Sequence, residues 1–447
     1  MELIRSISGI RGIVGKTLTG EDVGKYARAF SQIQGEGPIL LARDSRYHGR
    51  ELLSHAKSAL VRAGRDIVDC DIIPTPTAQF QVQHQNFAGG IVITASHNPM
   101  EWNGLKFIDR DGCFLGAEVN QQLFDTADSL SPQPINKNLN DTISQLAAQD
   151  HLSHTINLSI IDTEKIKNRN FKVVLDAVNG AGSFILPELL SSFNCDLVTI
   201  YCSPDGTFPR GSEPLPANLV DLGKAVKKHG ADVGFAVDPD GDRLAVVDEN
   251  GKPLGEEYTL TICADGYLAE SGNKQPLVTN LSTTMALDKV AERYGVEVKR
   301  SSVGEINVVN LMKESGSLLG GEGNGGVILK ESHYGRDSLV GIAMFLNKMS
   351  QVDMPVSRIF SSMPQFVMAK DKIDLGEVNA DMVIKKIASI FSKVDQDWQD
   401  GLKLIWENQW VHIRKSNTEP ILRIYAEAEN TDLLKSLMSS IKETLSA

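Results

Sequence analysis

The strongest constraint on this 447-residue chain is a pattern that recurs along it: a short apolar run, a polar turn at its end, then a segment with helical periodicity. Residues 21–34 put Val23, Ala27, Phe30 and Ile33 on one helical face, behind Thr19 as a suitable cap. The run 38–42 follows as a buried strand ending at Arg43-Asp44. A second helix, 51–63, carries Leu52, Leu53, Ala56 and Leu60 and stops at Gly64. A strand at 90–94 closes this stretch. The pattern returns at 171–175, ending in Asp176-Ala177-Val178-Asn179-Gly180, and at 233–237, ending in Asp238. It returns again at 276–279, which feeds a helix at 284–294, and at 317–319, which ends in Gly320-Gly321-Glu322. Such alternation predicts α/β units, whose ligands bind where loops converge over the carboxyl edge of the sheet.

Three related mixed α/β domains are expected, followed by a smaller α+β domain: 1–150, 151–252, 253–363 and 364–447. The stretch 131–150 is rich in Pro, Asn and Gln and suits a linker, and Ser361 to Phe366 marks another break. Beyond it, strands at 410–413 and 421–425 precede a helix with Leu434, Leu437, Met438, Ile441 and Leu445 on one face.

Composition narrows the function. Lys and Arg number 45 against 57 Asp and Glu, a net charge of −12, which argues against nucleic acid or an anionic membrane as partner. An anionic small substrate held by a few local cations remains compatible. No apolar run reaches the ~18 residues of a membrane span, and Met1-Glu2-Leu3-Ile4-Arg5 does not begin a signal peptide. The five cysteines are scattered, without a CxxC pair, so neither a disulfide framework nor a zinc site is expected. The expected location is cytoplasmic, with monomer and homodimer both open.

Four runs carry chemistry. Asp238-Pro239-Asp240-Gly241-Asp242-Arg243 places three carboxylates at alternate positions of one turn, where they converge on a hard cation, Mg²⁺ or Ca²⁺. An EF-hand loop shares these first ligands and Glu249 at its twelfth position, but Arg243 replaces the required glycine and both flanks read as strands. A solvated acidic turn is the other alternative. Thr94-Ala95-Ser96-His97-Asn98-Pro99 presents at a strand end an exposed serine able to act as nucleophile or phosphate carrier; taken alone, the run reads first as a polar turn. Lys106, in Asn103-Gly104-Leu105-Lys106, adds a cation that could be an acid, a base or a phosphate holder, or a surface lysine. Gly320-Gly321-Glu322-Gly323-Asn324-Gly325-Gly326 offers two hydrogen-bonding side chains in a pliable loop suited to sugar hydroxyls, or a tight hairpin. Finally, Arg414-Lys415-Ser416-Asn417-Thr418-Glu419-Pro420, with Arg423 beyond, forms an anion nest suited to a phosphate ester, or a capped surface turn.

Together and in this order, the four runs resemble those of the α-D-phosphohexomutases. Ser8-Gly9-Ile10-Arg11-Gly12 is similar to that family's amino-terminal active-site segment, and Asn103 to Lys106 to its lysine motif. The resemblance implies four domains around one cleft and an intramolecular phosphotransferase working through a phosphoserine and a sugar bisphosphate. By that resemblance Ser96 is the phosphoryl carrier, with His97 beside it and Lys106 the candidate acid/base. Mg²⁺ is held by Asp238, Asp240, Asp242 and a Ser96 phosphate oxygen. Arg11 and Arg243 steady phosphoryl oxygens, and Arg414, Ser416, Asn417, Thr418 and Arg423 hold the non-reacting phosphate. Glu322 and Asn324 grip the sugar, and a sugar 1,6-bisphosphate is the activator. Many relatives end the sugar loop in Ser-Gly-His, whereas here it ends in Asn324-Gly325-Gly326, so a histidine role there is absent; His333 lies nearby in sequence. Asn324-Gly325 is similar to the loop of mutases acting on amino sugars, which implies interconversion of glucosamine 6-phosphate and glucosamine 1-phosphate, a step toward UDP-N-acetylglucosamine. Mannose or glucose phosphates are the alternative.

Overall fold

The computed structural model describes residues 2–131, 133–134, 143–144, 146–374, 379–415 and 421–446. Four sheets organise them. In the first, Ile39–Arg43 runs parallel to both Ile67–Ile72 and Gly89–Ile93, and Gly89–Ile93 folds back antiparallel onto Trp102–Asp109. Two further antiparallel strands, Gly9–Ile13 and Ile4–Ser6, extend that edge. The second sheet repeats the four-strand plan with Lys172–Asp176 at its centre, Asp196–Ile200 and Val233–Val237 parallel to it, and Leu244–Asp248 antiparallel at the edge. The third repeats it again with Leu277–Asn280, Val298–Ser301, Leu319–Glu322 and Gly326–Leu329. Three related mixed α/β units are thus present, as the alternating pattern predicts.

The strands form where expected because they are buried on both faces; every residue of Ile39–Arg43, Gly89–Ile93 and Val233–Val237 is buried, so continuous apolar runs are required. The first helix, Gly20–Ile33, starts as its sequence dictates, with Thr19 and Asp22 closing a reciprocal capping box. The fourth sheet is different. Val367–Asp374, Ile421–Ala428, Gln409–Lys415, Leu402–Ile405 and Asp395–Asp397 are all antiparallel, with Ala380–Ile390 and Thr431–Ser446 as its helices.

One expectation needs correction. The end of the stretch read as a linker is helical: Leu146–Ile156 buries Ala147, His151 and Thr155, four residues apart, on one face. Its polar composition conceals that stripe. Among the described residues no helix is long and apolar enough to cross a membrane.

The repeat decides where the chemistry sits. In each of the first three sheets the last parallel strand along the chain turns into its antiparallel neighbour, and those turns hold Ser96, then Asp238 to Arg243, then Gly323 to Gly325.

Candidate active site

The Ser96 turn is held by a buried network. Arg46, wholly buried, donates to the carbonyls of Ser96 (2.8 Å) and Asn98 (2.6 Å) and pairs with Asp44. Asp44 accepts from the Thr94 hydroxyl at 2.6 Å, and Thr94 Oγ1 accepts from the Ser96 amide at 2.9 Å. These bonds fix Ser96 in the left-handed region, φ +48°, a conformation uncommon outside glycine. The serine is not exposed, as its strand-end position suggested, but 1% accessible. The reason lies far away in sequence: its Oγ donates to Asp238 Oδ2 at 3.1 Å, so the first turn is roofed by the second.

Asp238, Asp240 and Asp242 are all buried, with ligand oxygens within 4.8 Å of one another. Gly241, at φ +70°, makes the tight turn possible. Thr75 clamps the loop from the first unit, donating its amide to Asp240 O (2.8 Å) and its hydroxyl to Asp240 Oδ2 (2.7 Å). Lys106 donates to Asp240 Oδ2 at 2.6 Å and Asp242 Oδ2 at 3.1 Å. It is no surface lysine. Burial opposes its charge, but Asp240 and Asp242 outweigh that and raise its pKa, keeping it an ammonium. The Asp238 pKa is also raised, well above the carboxylate range, by burial and by the charges of Asp242 and Asp240, which here disfavours the charged form. Asp240 Oδ1 and Asp242 Oδ1 have no hydrogen-bond partner. Crowded carboxylates with orphaned buried oxygens are the donor set a hard divalent cation satisfies, so these residues fit such an ion.

The third turn places Glu322 and Asn324 in the same cleft. Glu322, 2% exposed, accepts from Asn280 Nδ2 (2.7 Å) and the Gly304 amide (3.2 Å) on one oxygen. Its other oxygen accepts from Arg336 (2.7 Å) and, more weakly, Asn324 Nδ2 (3.4 Å). The second and third turns touch directly, the Leu244 amide donating to Gly325 O at 2.9 Å.

Arg11, Lys106, Arg243, Arg336 and Arg423 all line this cleft beside Ser96, His97 and Asn98. In a chain of net charge −12, five cations around one serine make a local anion site. Arg11 donates to Asn98 Oδ1 at 3.1 Å. Arg243 bridges Glu213 (3.0 Å) and His97 Nδ1 (3.1 Å). His97 is held neutral, its pKa driven well below the usual value by burial and then by Arg243 and Arg11. Arg423 faces the cleft from the fourth sheet, directly opposite Arg414 across two strands. Such a like-charge pair is unfavourable without an anion to share. Arg414 lines the adjoining hollow with Glu257, Lys370 and Tyr425 and pairs with Asp400 at 3.5 Å. Ser416, Asn417 and Thr418 lie outside the described residues.

Sequence reasoning missed Arg336, Arg46 and Thr75. It had noted His333, which instead sits buried, bonded to Asp337 Oδ2 at 3.1 Å together with His151 at 2.9 Å. The signal for Arg336 was the missing histidine: a Cβ on Gly326 would lie 2.2 Å from Arg336 Cδ, so the glycine makes room for the arginine.

Comparison with known proteins settles the family. The phosphoglucomutase/phosphomannomutase signatures match in order: alpha/beta/alpha domain I over 3–133, domain II over 149–251, domain III over 255–366, and the C-terminal domain over 377–444. The chain belongs to the phosphoglucomutase/phosphomannomutase family. Among its curated relatives is a phosphoglucomutase/phosphomannomutase of Thermococcus kodakarensis, 35% identical across 95% of this chain and 94% of that one. A phosphoglucosamine/phosphogalactosamine mutase of Sulfurisphaera tokodaii is 30% identical, covering 97% of each. Among solved structures, a phosphoglucomutase/phosphomannomutase family protein of Burkholderia thailandensis superposes with TM-score 0.85 at 26% identity, over 99% of this chain and 98% of that one. The family is one of phosphohexomutases, so the chain is an isomerase, as the four runs implied.

Proposed function

We propose that the protein interconverts the 6-phosphate and 1-phosphate of a hexosamine, glucosamine first, by passing a phosphoryl group through Ser96. The observation that supports this best is the meeting of three equivalent hairpin turns: a serine, three aspartates and a Glu-Asn pair in one cationic cleft. In the first half-reaction a sugar hydroxyl attacks phosphorus on Ser96; the new O–P bond forms as the Ser96 Oγ–P bond breaks, giving a bisphosphate. The proton that the attacking hydroxyl loses replaces the one that Oγ gains: Lys106, an ammonium, is the candidate acid/base, giving its proton to Oγ and, as the amine, taking the hydroxyl's. After the sugar reverses, its other phosphate returns to Ser96. Asp238, Asp240 and Asp242 would hold Mg²⁺ with a Ser96 phosphate oxygen, and that ion neutralises charge developing on the transferred group. Arg11 and Arg243 would steady phosphoryl oxygens, with neutral His97 accepting from Arg243 to orient it. Arg423, with Arg414 and the 416–418 loop, would anchor the phosphate that does not react. Glu322 and Asn324 would serve the hydroxyls in both orientations, and divisions near 150, 252 and 363 would separate the four units.

Two observations support the amino sugar: the Asn324 amide in the cleft, and the kinship with a mutase named for glucosamine phosphate. One observation favours neutral mannose or glucose phosphates as a second reading. Glu322 is already bonded on both oxygens, one bond coming from a guanidinium, which leaves little unmatched charge for an ammonium at C2.

The test is an assay of glucosamine, mannose and glucose phosphates with the matching bisphosphate present, alongside intact-mass measurement of the purified protein. Turnover with almost no inorganic phosphate released, and one phosphate on the chain, supports the mutase reading. Stoichiometric phosphate release would instead mark a phosphatase.

A further inference from the structure

Arg336 is the only guanidinium among the described residues whose Nε and both terminal nitrogens each meet a different carboxylate. Nη1 donates to Glu322 Oε2 at 2.7 Å, Nη2 to Asp242 Oδ2 at 2.7 Å, and Nε to Glu305 Oε2 at 3.0 Å. The guanidinium therefore stands between the Glu-Asn turn and the aspartate turn. The third contact fixes it to the scaffold, since Gln79 of the first unit donates to Glu305 Oε1 at 3.0 Å. Its backbone is anchored as well: the next residue, Asp337, caps helix Ser338–Gln351 through Oδ1 and receives His151 and His333 on Oδ2. Arg336 is 8% exposed and that surface faces the cleft.

These contacts do two things that a lysine could not. A planar fork fixes directions, whereas an ammonium supplies only a point charge. Glu322 is held ionised, and its pKa is lowered despite burial because Arg336 and Asn280 stabilise the anion. At Asp242 the guanidinium and Lys106 both take Oδ2, leaving Oδ1 with no hydrogen bond and only a 3.9 Å ion pair to Arg243 Nε, the atom available to a cation. Without Arg336, Asp242 would keep Lys106, but the buried Glu322 would be left with neutral donors alone, Asn280, the Gly304 amide and Asn324, and would move or take up a proton.

We propose that Arg336 is a positioning residue that couples sugar binding to divalent-cation binding, by orienting Glu322 and Asp242 from one rigid group. It acts through those side chains and needs no bond to the substrate. This rests on the mutase reading, and it assigns to Arg336 the space that a histidine at 326 would claim.

The experiment measures glucosamine 6-phosphate affinity by calorimetry with and without Mn²⁺, and Mn²⁺ affinity by electron paramagnetic resonance with and without the sugar phosphate. Wild type, Arg336→Lys, Arg336→Met and Glu322→Gln are compared, each checked for a native melting transition. In wild type each ligand should tighten the other by about five-fold or more, by the same factor in both directions. In Arg336→Lys that factor should fall to near one and KM rise by about ten-fold, although charge is retained. Should Arg336→Met fail to fold, Arg336→Lys and Glu322→Gln carry the test, since Glu322→Gln should also abolish the coupling. Wild-type coupling absent, or undiminished in Arg336→Lys, overturns the proposal while turnover of hexose phosphates keeps the mutase reading intact. If wild type binds and converts none of the three sugar phosphates, the mutase reading falls, and this proposal with it.

Discussion

The cleft has two kinds of wall. Three of its sides come from the first three units, tied by buried charged contacts: Thr75 to Asp240, Lys106 to Asp240 and Asp242, Gln79 to Glu305, and Arg336 across two turns. Beneath them the second and third units share one apolar core, running from Leu158 to Met363. The fourth side belongs to a unit whose core, from Ile384 to Ile441, is its own. Its junction is polar: Ser282 with His412, the Met285 amide with Glu427, Lys403 with Leu281 O, and Lys370 with Glu256. The difference teaches a division of labour. Groups proposed to meet within an ångström are set by interlocked buried charge, whereas the fourth unit keeps its own core and meets the others through separate hydrogen bonds and ion pairs.

Breaking the interlocked wall should cost most. Ser96→Ala removes the proposed phosphoryl carrier and should lower kcat by about a thousand-fold or more. A variant that keeps a tenth of wild-type rate, measured in the coupled assay, would sink the phosphoserine mechanism. Chelation, or Asp240→Asn, should come next, cutting turnover about a hundred-fold or more, with added Mg²⁺ restoring the chelated enzyme but not the variant. Full rate in excess chelator would remove the aspartate turn from the reaction. The fourth wall should answer more mildly: Arg423→Ala should raise KM about ten-fold and leave kcat within a few-fold, the loss of one charge-assisted bond to a group that does not react. If kcat falls as far as in Asp240→Asn, the two walls are not different in kind.

The smallest effect should be a pH effect at the junction. His412 lies buried between Ser282 Oγ at 2.8 Å and the Asp400 carbonyl at 2.6 Å, and burial brings its pKa down to about 4. Unfolded, the imidazole titrates near 6.5. Between these values the unfolded chain binds the extra proton and the folded one does not, so stability is lost as pH falls from 6.5 toward 4. Going from pH 7 to pH 5 should weaken the fourth unit by ~1–2 kcal/mol, seen as faster hydrogen exchange at 402–413, and His412→Asn should flatten the dependence. Unchanged pH dependence at 402–413 in His412→Asn would remove His412 as its source.

The sequence reported residue types well and partnerships poorly. Ser96, the three aspartates and Glu322 were legible because each sits in a short polar run after an apolar strand, a local signal. The triple recurrence of one strand plan was legible for the same reason. Ser96's burial was not, since its roof is Asp238, 142 positions on. Gln79 and Glu305 meet across 226 positions, and no period or spacing announces that. Arg336 carried half a signal, a glycine where a larger residue was expected, but only packing says which side chain fills the room. Composition misled once, at Leu146–Ile156, where three small or polar residues form the buried face.

The closeness of Gly326 to Arg336 has a consequence for inheritance. One volume beside the Glu-Asn turn cannot be occupied twice: any side chain at 326 begins 2.2 Å from an arginine methylene. Positions 326 and 336 therefore cannot drift independently. A lineage passing between a histidine-bearing turn and this one must cross an intermediate that is either overfilled or hollow. Across homologous chains of this fold, a bulky residue at 326 and an arginine at 336 should exclude one another, a covariation readable by counting.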